Sequence, residues 1–302
     1  RLDRFPFPCD MGKSCWARLT PLPNDQPTMT AFQCPASMIS WVLLIVIGIA
    51  AITEALVVAA PAHKVLGDEF PPLGTLQLNL EAYHQYLESA SILNTTMMVF
   101  PEFGLGGKYD SPKTMDPYCE TIEVGDKACR NASLQSLSPA LSDLSCESIQ
   151  RKMWIIYNTC HRSAPGVLYN TEVVINPEGT VVARYFKSHV FHRFVFHEPS
   201  FPDVVLFECE GIQMGIIVCF DIAFTHPSKD IVEKGAQFVP YSVALNVIGL
   251  AADVFETWTR RFPGTALMAS NLGGDDIGLY HNGKSSPVAN QHGNVTAFIY
   301  VQ

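Results

Sequence analysis

Strand-like apolar runs alternate with helix-like segments from residue 54 onward, and this alternation constrains the fold more than any other feature of the chain. Residues 54–60 (EALVVAA) predict a first strand, residues 76–93 carry apolar side chains at helical spacing, and residues 97–107 begin as an apolar strand that ends at Pro101 and Glu102. This strand, helix, strand order favours an α/β layered fold in which helices cover the sheet faces.

The remainder of the chain continues the pattern. Residues 110–145 are expected to form a loop or insertion because their Gly, Pro and Asp content is typical of loops, and a helix is expected from about Pro139 to Lys152 with Ser138 as its N-cap. The sequences INPEGT and ECEGIQ each separate two strand-like runs and predict hairpin turns. Further strands are predicted at 153–160, 169–187, 204–221 and 237–243, and further helices at 227–236 and 250–262.

Composition limits the class of protein. The chain has 302 residues, of which 48% are hydrophobic, enough for a sizeable core in one large domain or two ordinary ones. Disorder throughout is therefore excluded. The formal net charge is -9 with only 20 Lys and Arg, so nucleic acid is not expected as a partner, because its phosphates require a basic face.

The apolar stretch 41–60 decides how the N-terminal region is interpreted. Taken whole it approaches the roughly 20 residues that span a bilayer, but Glu54 interrupts it, and a carboxylate inside hydrocarbon is costly. Residues 41–52 have the length of the apolar core of a signal peptide. We favour a cleaved signal peptide, and a membrane anchor stays open. Residues 1–53 are thus assigned to a leader with a signal peptide or anchor, and residues 54–302 to the mature domain.

Cysteines and glycosylation sequons indicate the compartment. Nine cysteines is a high count for a reducing cytosol, and sequons begin at Asn94 (NTT), Asn131 (NAS) and Asn294 (NVT). Together these features predict a secreted or extracellular glycoprotein with disulfide bonds.

Three residues with reactive side chains lie at or just past predicted strand ends: Glu102, Lys187 and Cys219. Strand ends are where α/β proteins place reactive groups. Each residue alone also has an ordinary interpretation, since Glu102 fits a loop carboxylate, Lys187 a solvated hairpin end and Cys219 a small buried hydrophobe. Their order along the chain and the sequences around them favour a catalytic role over these ordinary interpretations.

The sequences around these residues resemble one family. FPEFGLGG, VVARYFKSHVF and GIIVCFDIAF, together with YNTEVVINPEGTVVARY and ALMASN, are similar to the nitrilase or carbon-nitrogen hydrolase superfamily. Cys-Phe-Asp at the thiol is most similar to the pantetheinase (vanin) and biotinidase branch. The resemblance implies an αββα sandwich and a triad in which Glu102 is the general base, Lys187 stabilises the transition state and Cys219 is the nucleophile.

The resemblance also implies an activity. A linear carboxamide, pantetheine-like or biotinyl, would be cut to an acid and an amine through a thioester, with this small molecule as partner and no metal or organic cofactor. The resemblance to this branch implies a monomer. Members of the branch also have a C-terminal domain after the hydrolase domain, which we expect this chain to lack. Five histidines lack the close spacing of a zinc site and are predicted to have surface or loop roles: His189, His192, His197, His226 and His281.

Elementary chemistry agrees with the triad. A thiol with an ordinary pKa of about 8.5 attacks an amide carbonyl once a base removes its proton or a cation favours the thiolate. The resulting oxyanion needs positive charge or N–H donors. Lys187 supplies the charge, and the backbone N–H of Phe220 supplies a donor if Cys219 lies on a sharp turn from strand to helix.

Further residues are assigned around the triad. Asp221 follows the branch pattern and also fits an acid at a helix N-terminus. Glu198 is a candidate for the second active-site Glu of many superfamily members, or else a loop carboxylate. Tyr241 and Asn246 are candidate substrate contacts.

The cysteine count leaves one thiol over. Six cysteines remain beyond the predicted cleavage, and reserving the nucleophile leaves five, so one of these is free or pairs outside the set. Cys119 with Cys129, or Cys146 with Cys160, would close short rings. Cys209 is the candidate for the unpaired thiol.

Two other classes of function stay open. A ligand- or chromophore-binding protein on the same fold, as in the squid photoproteins of the branch, predicts covalent labelling that persists without turnover. A membrane-anchored glycoprotein with a degenerate hydrolase domain predicts that segment 41–60 is retained in the mature protein. Because Glu102, Lys187 and Cys219 are all present, we favour the amidohydrolase.

Overall fold

The computed structural model describes residues 55–245 and 251–301. The strands of this part are β1 (Leu56–Pro61), β2 (Met97–Val99), β3 (Cys119–Glu120), β4 (Trp154–Ala164), β5 (Val167–Ile175), β6 (Val181–Phe186), β7 (Leu206–Cys209), β8 (Ile212–Gly215), β9 (Ile217–Val218), β10 (Phe238–Val243), β11 (Ala266–Asn271), β12 (Gly278–His281), β13 (Lys284–Ser285), β14 (Asn290–His292) and β15 (Val295–Tyr300). The helices are α1 (Pro72–Ile92), α2 (Pro112–Met115), α3 (Ala132–Leu137), α4 (Pro139–Arg151), α5 (Thr225–Glu233) and α6 (Ala251–Arg261). Single 3₁₀ turns lie at Asp116–Tyr118 and Cys219–Ala223.

The first sheet is mixed. Its strands follow the order β14-β15-β1-β2-β4-β5-β6, and β3 also pairs with β4. β1, β2 and β4 are parallel neighbours, whereas β4, β5 and β6 form an antiparallel meander with the predicted INPEGT hairpin between β5 and β6. Parallel strands are buried on both faces, which is why β1 and β2 are continuous apolar runs in the sequence.

The second sheet has the order β13-β12-β11-β10-β8-β7, and β9 also pairs with β10. β10 runs parallel to β8, β9 and β11, and the predicted ECEGIQ hairpin joins β7 to β8. β9 contains only Ile217 and Val218, so it ends where Cys219 begins a 3₁₀ turn.

Three apolar layers order these elements. The middle layer lies between the sheets, where Val99 and Ile156 of the first sheet pack with Phe238 of the second. Helices α1 and α4 cover the outer face of the first sheet with side chains such as Leu87. Helices α5 and α6 cover the outer face of the second with side chains such as Phe255. The layers therefore follow the order helix, sheet, sheet, helix, which confirms the predicted α/β class and αββα sandwich.

Helix α4 begins at Pro139, as predicted, since proline at the first helical position has a suitable φ and lacks an N–H that would be left unpaired. Ser138 occupies the N-cap position, but its hydroxyl does not cap the helix. The carboxylate of Glu120 accepts the N–H groups of Ala140 and Leu141 instead, at 2.6 and 3.3 Å. A residue distant in sequence thus caps this helix, which no local pattern predicts.

The two disulfides differ from the predicted pairings. Cys119 bonds Cys160, and Cys129 bonds Cys146. The short rings were wrong because β3 and β4 are parallel neighbours whose register places Cys119 opposite Cys160. Cys209 is unpaired, as predicted, and it is buried.

The three sequon asparagines, Asn94, Asn131 and Asn294, are exposed. Within residues 55–245 and 251–301, the helices lack the length and apolarity that a membrane span requires. The predicted leader with its signal peptide or anchor, residues 1–53, lies outside the described residues.

Candidate active site

Glu102, Lys187 and Cys219 meet at one end of the two sheets. Glu102 follows β2, Lys187 follows β6 and Cys219 follows β9. The Lys187 Nζ lies 2.6 Å from Glu102 Oε1, and each side chain is only 1% exposed. The Cys219 thiol lines the same cavity as Glu102, Lys187 and Ala244, and the Glu102 carboxylate and the Ala244 N–H act on its pKa in opposite directions. A carboxylate, an ammonium group and a thiol that are far apart in the sequence thus form one cluster.

The backbone around Glu102 is held in an unusual conformation. Phe103 has a φ of 61°, in the left-handed region that residues other than glycine rarely adopt. Its N–H donates to Asn158 Oδ1 at 3.0 Å. The next residue, Gly104, has no room for a side chain, because a Cβ would lie 2.1 Å from the Tyr83 hydroxyl. Strain of this kind is typical of functional sites and persists only where surrounding contacts determine it.

Cys219 also has a left-handed backbone, with a φ of 44°, as the first residue of its 3₁₀ turn. Asp221 stabilises this turn from within. Its carboxylate accepts the N–H of Val218 at 3.1 Å, the N–H of His189 at 2.8 Å and the hydroxyl of Tyr185 at 2.7 Å. The turn that presents the thiol is therefore tied to the loop after Lys187.

Burial and charge set the protonation of the cluster. Burial, together with the negative charge of Glu102, raises the pKa of the Cys219 thiol to about 12, and Lys187 opposes this shift. For Lys187, burial alone disfavours the cation, but Glu102, Cys219 and Asp221 outweigh it and the pKa is raised. The resting cluster at neutral pH is thus a neutral thiol beside a Lys⁺ and carboxylate pair.

The cluster forms the floor of a cavity of about 840 Å³. Five aromatic side chains contribute to its walls: Phe103, Tyr109, Phe191, His192 and Phe220. His192 stacks on Tyr109, with ring centroids 5.1 Å apart. Burial lowers the pKa of His192 below its ordinary value.

The cavity mouth includes one charge of each sign, Lys64 and Asp68. A concave, mostly apolar cavity with a few convergent polar groups is the usual form of a small-molecule site. Within residues 55–245 and 251–301, no three His, Cys, Asp or Glu side chains are grouped so as to hold a metal ion.

Several residues assigned from sequence occupy other places. Glu198 is exposed and does not line the cavity; its carboxylate accepts the Val190 N–H at 3.3 Å and pairs with Arg193 at 3.2 Å. Tyr241 is buried and does not line the cavity either, because its side chain faces the helices. Its hydroxyl donates to the Cys219 carbonyl at 2.7 Å and so supports the thiol rather than a substrate. Asn246 lies outside the described residues.

Sequence reasoning missed four buried polar residues behind Glu102. Asn170 Nδ2 donates to Glu102 Oε1 at 2.8 Å, and Asn158 Nδ2 donates to Asn170 Oδ1 at 2.7 Å. Glu172 and Ser242 continue this network away from the cavity. The available signal was polar residues at alternate positions of strands otherwise apolar, as in YNTEVVI.

Curated relatives agree with the predicted branch. A biotinidase from Takifugu rubripes is 27% identical over 261 residues, which cover 79% of this chain and 51% of the relative. A pantetheinase from Bos taurus is 31% identical over 199 residues, which cover 61% of this chain and 39% of the relative. The chain therefore spans about half the length, or less, of these curated relatives.

Solved structures show the same fold. A mutant amidase of the nitrilase superfamily from Nesterenkonia AN1 has a TM-score of 0.65 at 16% identity, covering 83% of this chain and 92% of that one. At this level of identity the likeness confirms the predicted nitrilase-like sandwich and carries no further conclusion. The family model described as carbon-nitrogen hydrolase matches residues 70–263, more than half of the chain. This chain belongs to the carbon-nitrogen hydrolase family.

Proposed function

We propose that this protein is a thiol-dependent amidohydrolase that cleaves a linear carboxamide to an acid and an amine. The observation that carries the proposal is the cluster of Glu102, Lys187 and Cys219 on the floor of an aromatic cavity. A base in contact with a thiol, with a cation beside both, is what amide attack by a thiol requires.

In the first step Glu102 takes the thiol proton as Cys219 Sγ attacks the amide carbonyl. Concerted removal fits the raised pKa of the thiol, since little thiolate is present before substrate binds. The C–N bond then breaks, the amine leaves with the proton held by Glu102, and the acyl group remains on Sγ as a thioester.

Lys187 and the backbone N–H of Phe220 stabilise the oxyanion of the tetrahedral intermediate. Lys187 is buried, and a charge directed at an oxyanion in a site with little water contributes more than it does in solution. In the second half-reaction Glu102 takes a proton from water, hydroxide attacks the thioester, and the acid leaves as the thiol regains its proton.

The substrate class is a pantetheine-like or biotinyl amide. The names of the relatives, biotinidase and pantetheinase, support this class, and the cavity of about 840 Å³ has the size of a small-molecule site. The apolar walls suit an extended uncharged acyl chain. We further propose that this small-molecule amide is the partner of the protein and that the protein is a monomer.

We further propose that the protein is extracellular and glycosylated. Two disulfides among the described residues and the exposed asparagines of the three sequons support this, because disulfides persist in oxidising compartments and a glycan needs an accessible Asn side chain. Whether the N-terminal segment acts as a signal peptide or as an anchor is decided by sequencing the N-terminus of the mature protein.

The test is amine release from a pantetheine amide and from a biotinyl amide by the purified full chain and by Cys219→Ala. We expect turnover of one amide by the wild type and a loss of roughly 10⁴-fold or more in the variant. Cys209→Ala is the matched control, since Cys209 is also a free cysteine but lies in the core.

Turnover that survives in Cys219→Ala would refute the thiol mechanism. A wild type that forms a lasting adduct on Cys219 without releasing product, detected by mass spectrometry, would refute hydrolysis and identify a covalent ligand-binding protein.

A further inference from the structure

A second carboxyl group lies fully buried behind the candidate base. Glu172 on β5 has no exposed surface, and neither it nor its neighbours Asn158, Asn170 and Ser242 line the large cavity. These four side chains occupy the space between the sheets, where the apolar middle layer gives way to polar residues. No step of the proposed reaction uses them directly.

The orientation of both amide side chains is fixed by the backbone. Phe103 N–H donates to Asn158 Oδ1 at 3.0 Å, so the Nδ2 of Asn158 must point the other way. This Nδ2 donates to Asn170 Oδ1 at 2.7 Å, which leaves the Nδ2 of Asn170 to donate to Glu102 Oε1 at 2.8 Å. An N–H donor therefore faces the base, whereas the opposite orientation would place a carbonyl against a carboxylate.

Counting protons assigns a neutral carboxyl to Glu172. The Ser242 hydroxyl has one proton and contacts two oxygens, the carbonyl of Phe100 at 2.6 Å and Glu172 Oε1. Because the hydroxyl has one proton and a carbonyl only accepts, both contacts are hydrogen bonds at once only when Ser242 donates to Phe100. The contact with Glu172 is then a hydrogen bond only if Glu172 donates its own proton to Ser242. Its second oxygen, Oε2, accepts from Asn158 Nδ2 at 3.3 Å.

The network clamps the base from three sides. Ser242 holds the backbone of Phe100, two residues before Glu102, and Asn158 holds the backbone of Phe103, the residue after it. Asn170 holds the Glu102 carboxylate itself. Glu172 contacts both Ser242 and Asn158, so it joins the clamps into one unit.

We propose that Glu172, carried as a neutral carboxylic acid, is a positioning residue that orients Glu102 through Asn158, Asn170 and Ser242. The proposal rests on the proposed function, since it concerns the base of that reaction. Glu172 touches no substrate; it acts by holding the strained backbone at Phe103 and the amide that faces Glu102.

The electrostatic surroundings agree with a neutral acid. The groups that face Glu172 are Glu102 and Lys187 at the site, Tyr83 on α1 and Tyr157 on β4. Burial is the largest influence on Glu172 and raises its pKa to about 8, the negative charge of Glu102 adds to this, and Ser242, Asn158 and Lys187 act in the opposite direction. Above that pH an ionised Glu172 would demand the Ser242 proton and release Phe100.

Two variants of nearly equal shape separate hydrogen bonding from packing. In Glu172→Gln the amide donates to Ser242 and its carbonyl accepts from Asn158, so we expect kcat close to that of the wild type at pH 7. In Glu172→Leu both contacts are lost, and we expect kcat to fall roughly 10²-fold with little change in KM, because the base is misplaced. Above about pH 8 the wild type should lose kcat while Glu172→Gln does not.

Two readouts do not depend on turnover. At pH 7 the wild type should show the infrared carbonyl band of a neutral carboxylic acid, and Glu172→Gln should lose the part of the band that Glu120→Gln keeps, because burial also raises the pKa of Glu120, to about 7. Alkylation of Cys219 by iodoacetamide should be slowed in Glu172→Leu and not in Glu172→Gln, since Glu102 takes the thiol proton. Circular dichroism checks that each variant is folded.

The outcomes separate this proposal from the proposed function. Equal loss of kcat or of Cys219 alkylation in Glu172→Gln and Glu172→Leu would overturn the proposal, as would a wild type without the infrared band. A wild type that hydrolyses no amide, but shows the band and the expected alkylation pattern, would overturn the amidohydrolase and leave the positioning role intact.

Discussion

Two free cysteines lie at strand ends of the same sheet and have opposite surroundings. Cys209 ends β7 and Cys219 follows β9. Burial raises the pKa of both thiols. Cys209 packs in the apolar middle layer and does not line the cavity, whereas Cys219 lies at the edge of that layer and lines the cavity together with Glu102 and Lys187.

The comparison shows that burial does not make a thiol a nucleophile. Burial alone stabilises the protonated form, which is the inert one. What distinguishes Cys219 is a cavity that it shares with a carboxylate, Glu102, and with the cation paired to it, Lys187. Reactivity here is a property of the neighbours, and each prediction below changes one neighbour or one cysteine.

Glu102→Gln should have the largest effect. Without Glu102 no base takes the Cys219 proton during the attack, and burial, the largest cause of the raised pKa of this thiol, still favours the protonated form. We expect kcat/KM for the amide to fall by about 10⁴-fold, the upper end of what a positioned base contributes. Glu120→Gln removes another buried carboxyl, one that does not line the cavity, and controls for the loss of a buried acid. A loss below tenfold would show that Glu102 does not activate the thiol.

Alkylation should discriminate between the cysteines in the native protein. Iodoacetamide enters the cavity and reaches Cys219, whereas Cys209 is fully buried and reacts only when the chain unfolds. Because a folded protein is unfolded for a fraction of 10⁻³ or less of the time, we expect Cys219 to be labelled about 10³-fold faster. Peptide mapping by mass spectrometry measures the two sites separately. Similar rates would mean that the cavity does not expose the thiol.

Lys187→Met should destabilise the fold because it leaves Glu102 buried without its counterion. The two side chains are each 1% exposed, and breaking such a pair costs about 3–5 kcal/mol of unfolding free energy. The double variant Glu102→Gln with Lys187→Met removes both charges and should recover much of the loss in a urea titration. If the single and double variants were equally unstable, the unpaired charge of Glu102 would not be the cause of the lost stability.

Much of the fold and the triad could be predicted from the sequence. Local apolar patterns identified β1, α1 and the two hairpins, and the motifs around Glu102, Lys187 and Cys219 identified the cluster that the structure brings together. These features are encoded within short windows of the chain. The structure contains them because the packing of helices on sheets requires the same alternation of strands and helices that the sequence shows.

The rest depends on contacts between distant segments. The pairing of Cys119 with Cys160 follows from the register of β3 on β4, which no spacing rule predicts. On β10, adjacent residues serve different layers: Tyr241 faces the helices, whereas Ser242 faces Phe100 across the sheets. Whether Tyr241 lines the cavity could not be predicted from the sequence, because it depends on the direction of its side chain, which is set by tertiary packing.

Cys209→Ser should have the smallest effect and the opposite character to any change at Cys219. A hydroxyl in the apolar middle layer has to give up its hydrogen bonds to water, so we expect a loss of about 2 kcal/mol in unfolding free energy with unchanged turnover. Cys219→Ser should abolish turnover at almost unchanged stability, because its hydroxyl lines the cavity beside the polar Glu102 and Lys187. Urea titrations and amine release on both variants test whether one loses stability and keeps turnover while the other loses turnover and keeps stability. If Cys209→Ser reduced turnover while leaving stability intact, the two regions would be coupled, and the separation between an inert and a reactive buried thiol would have to be abandoned.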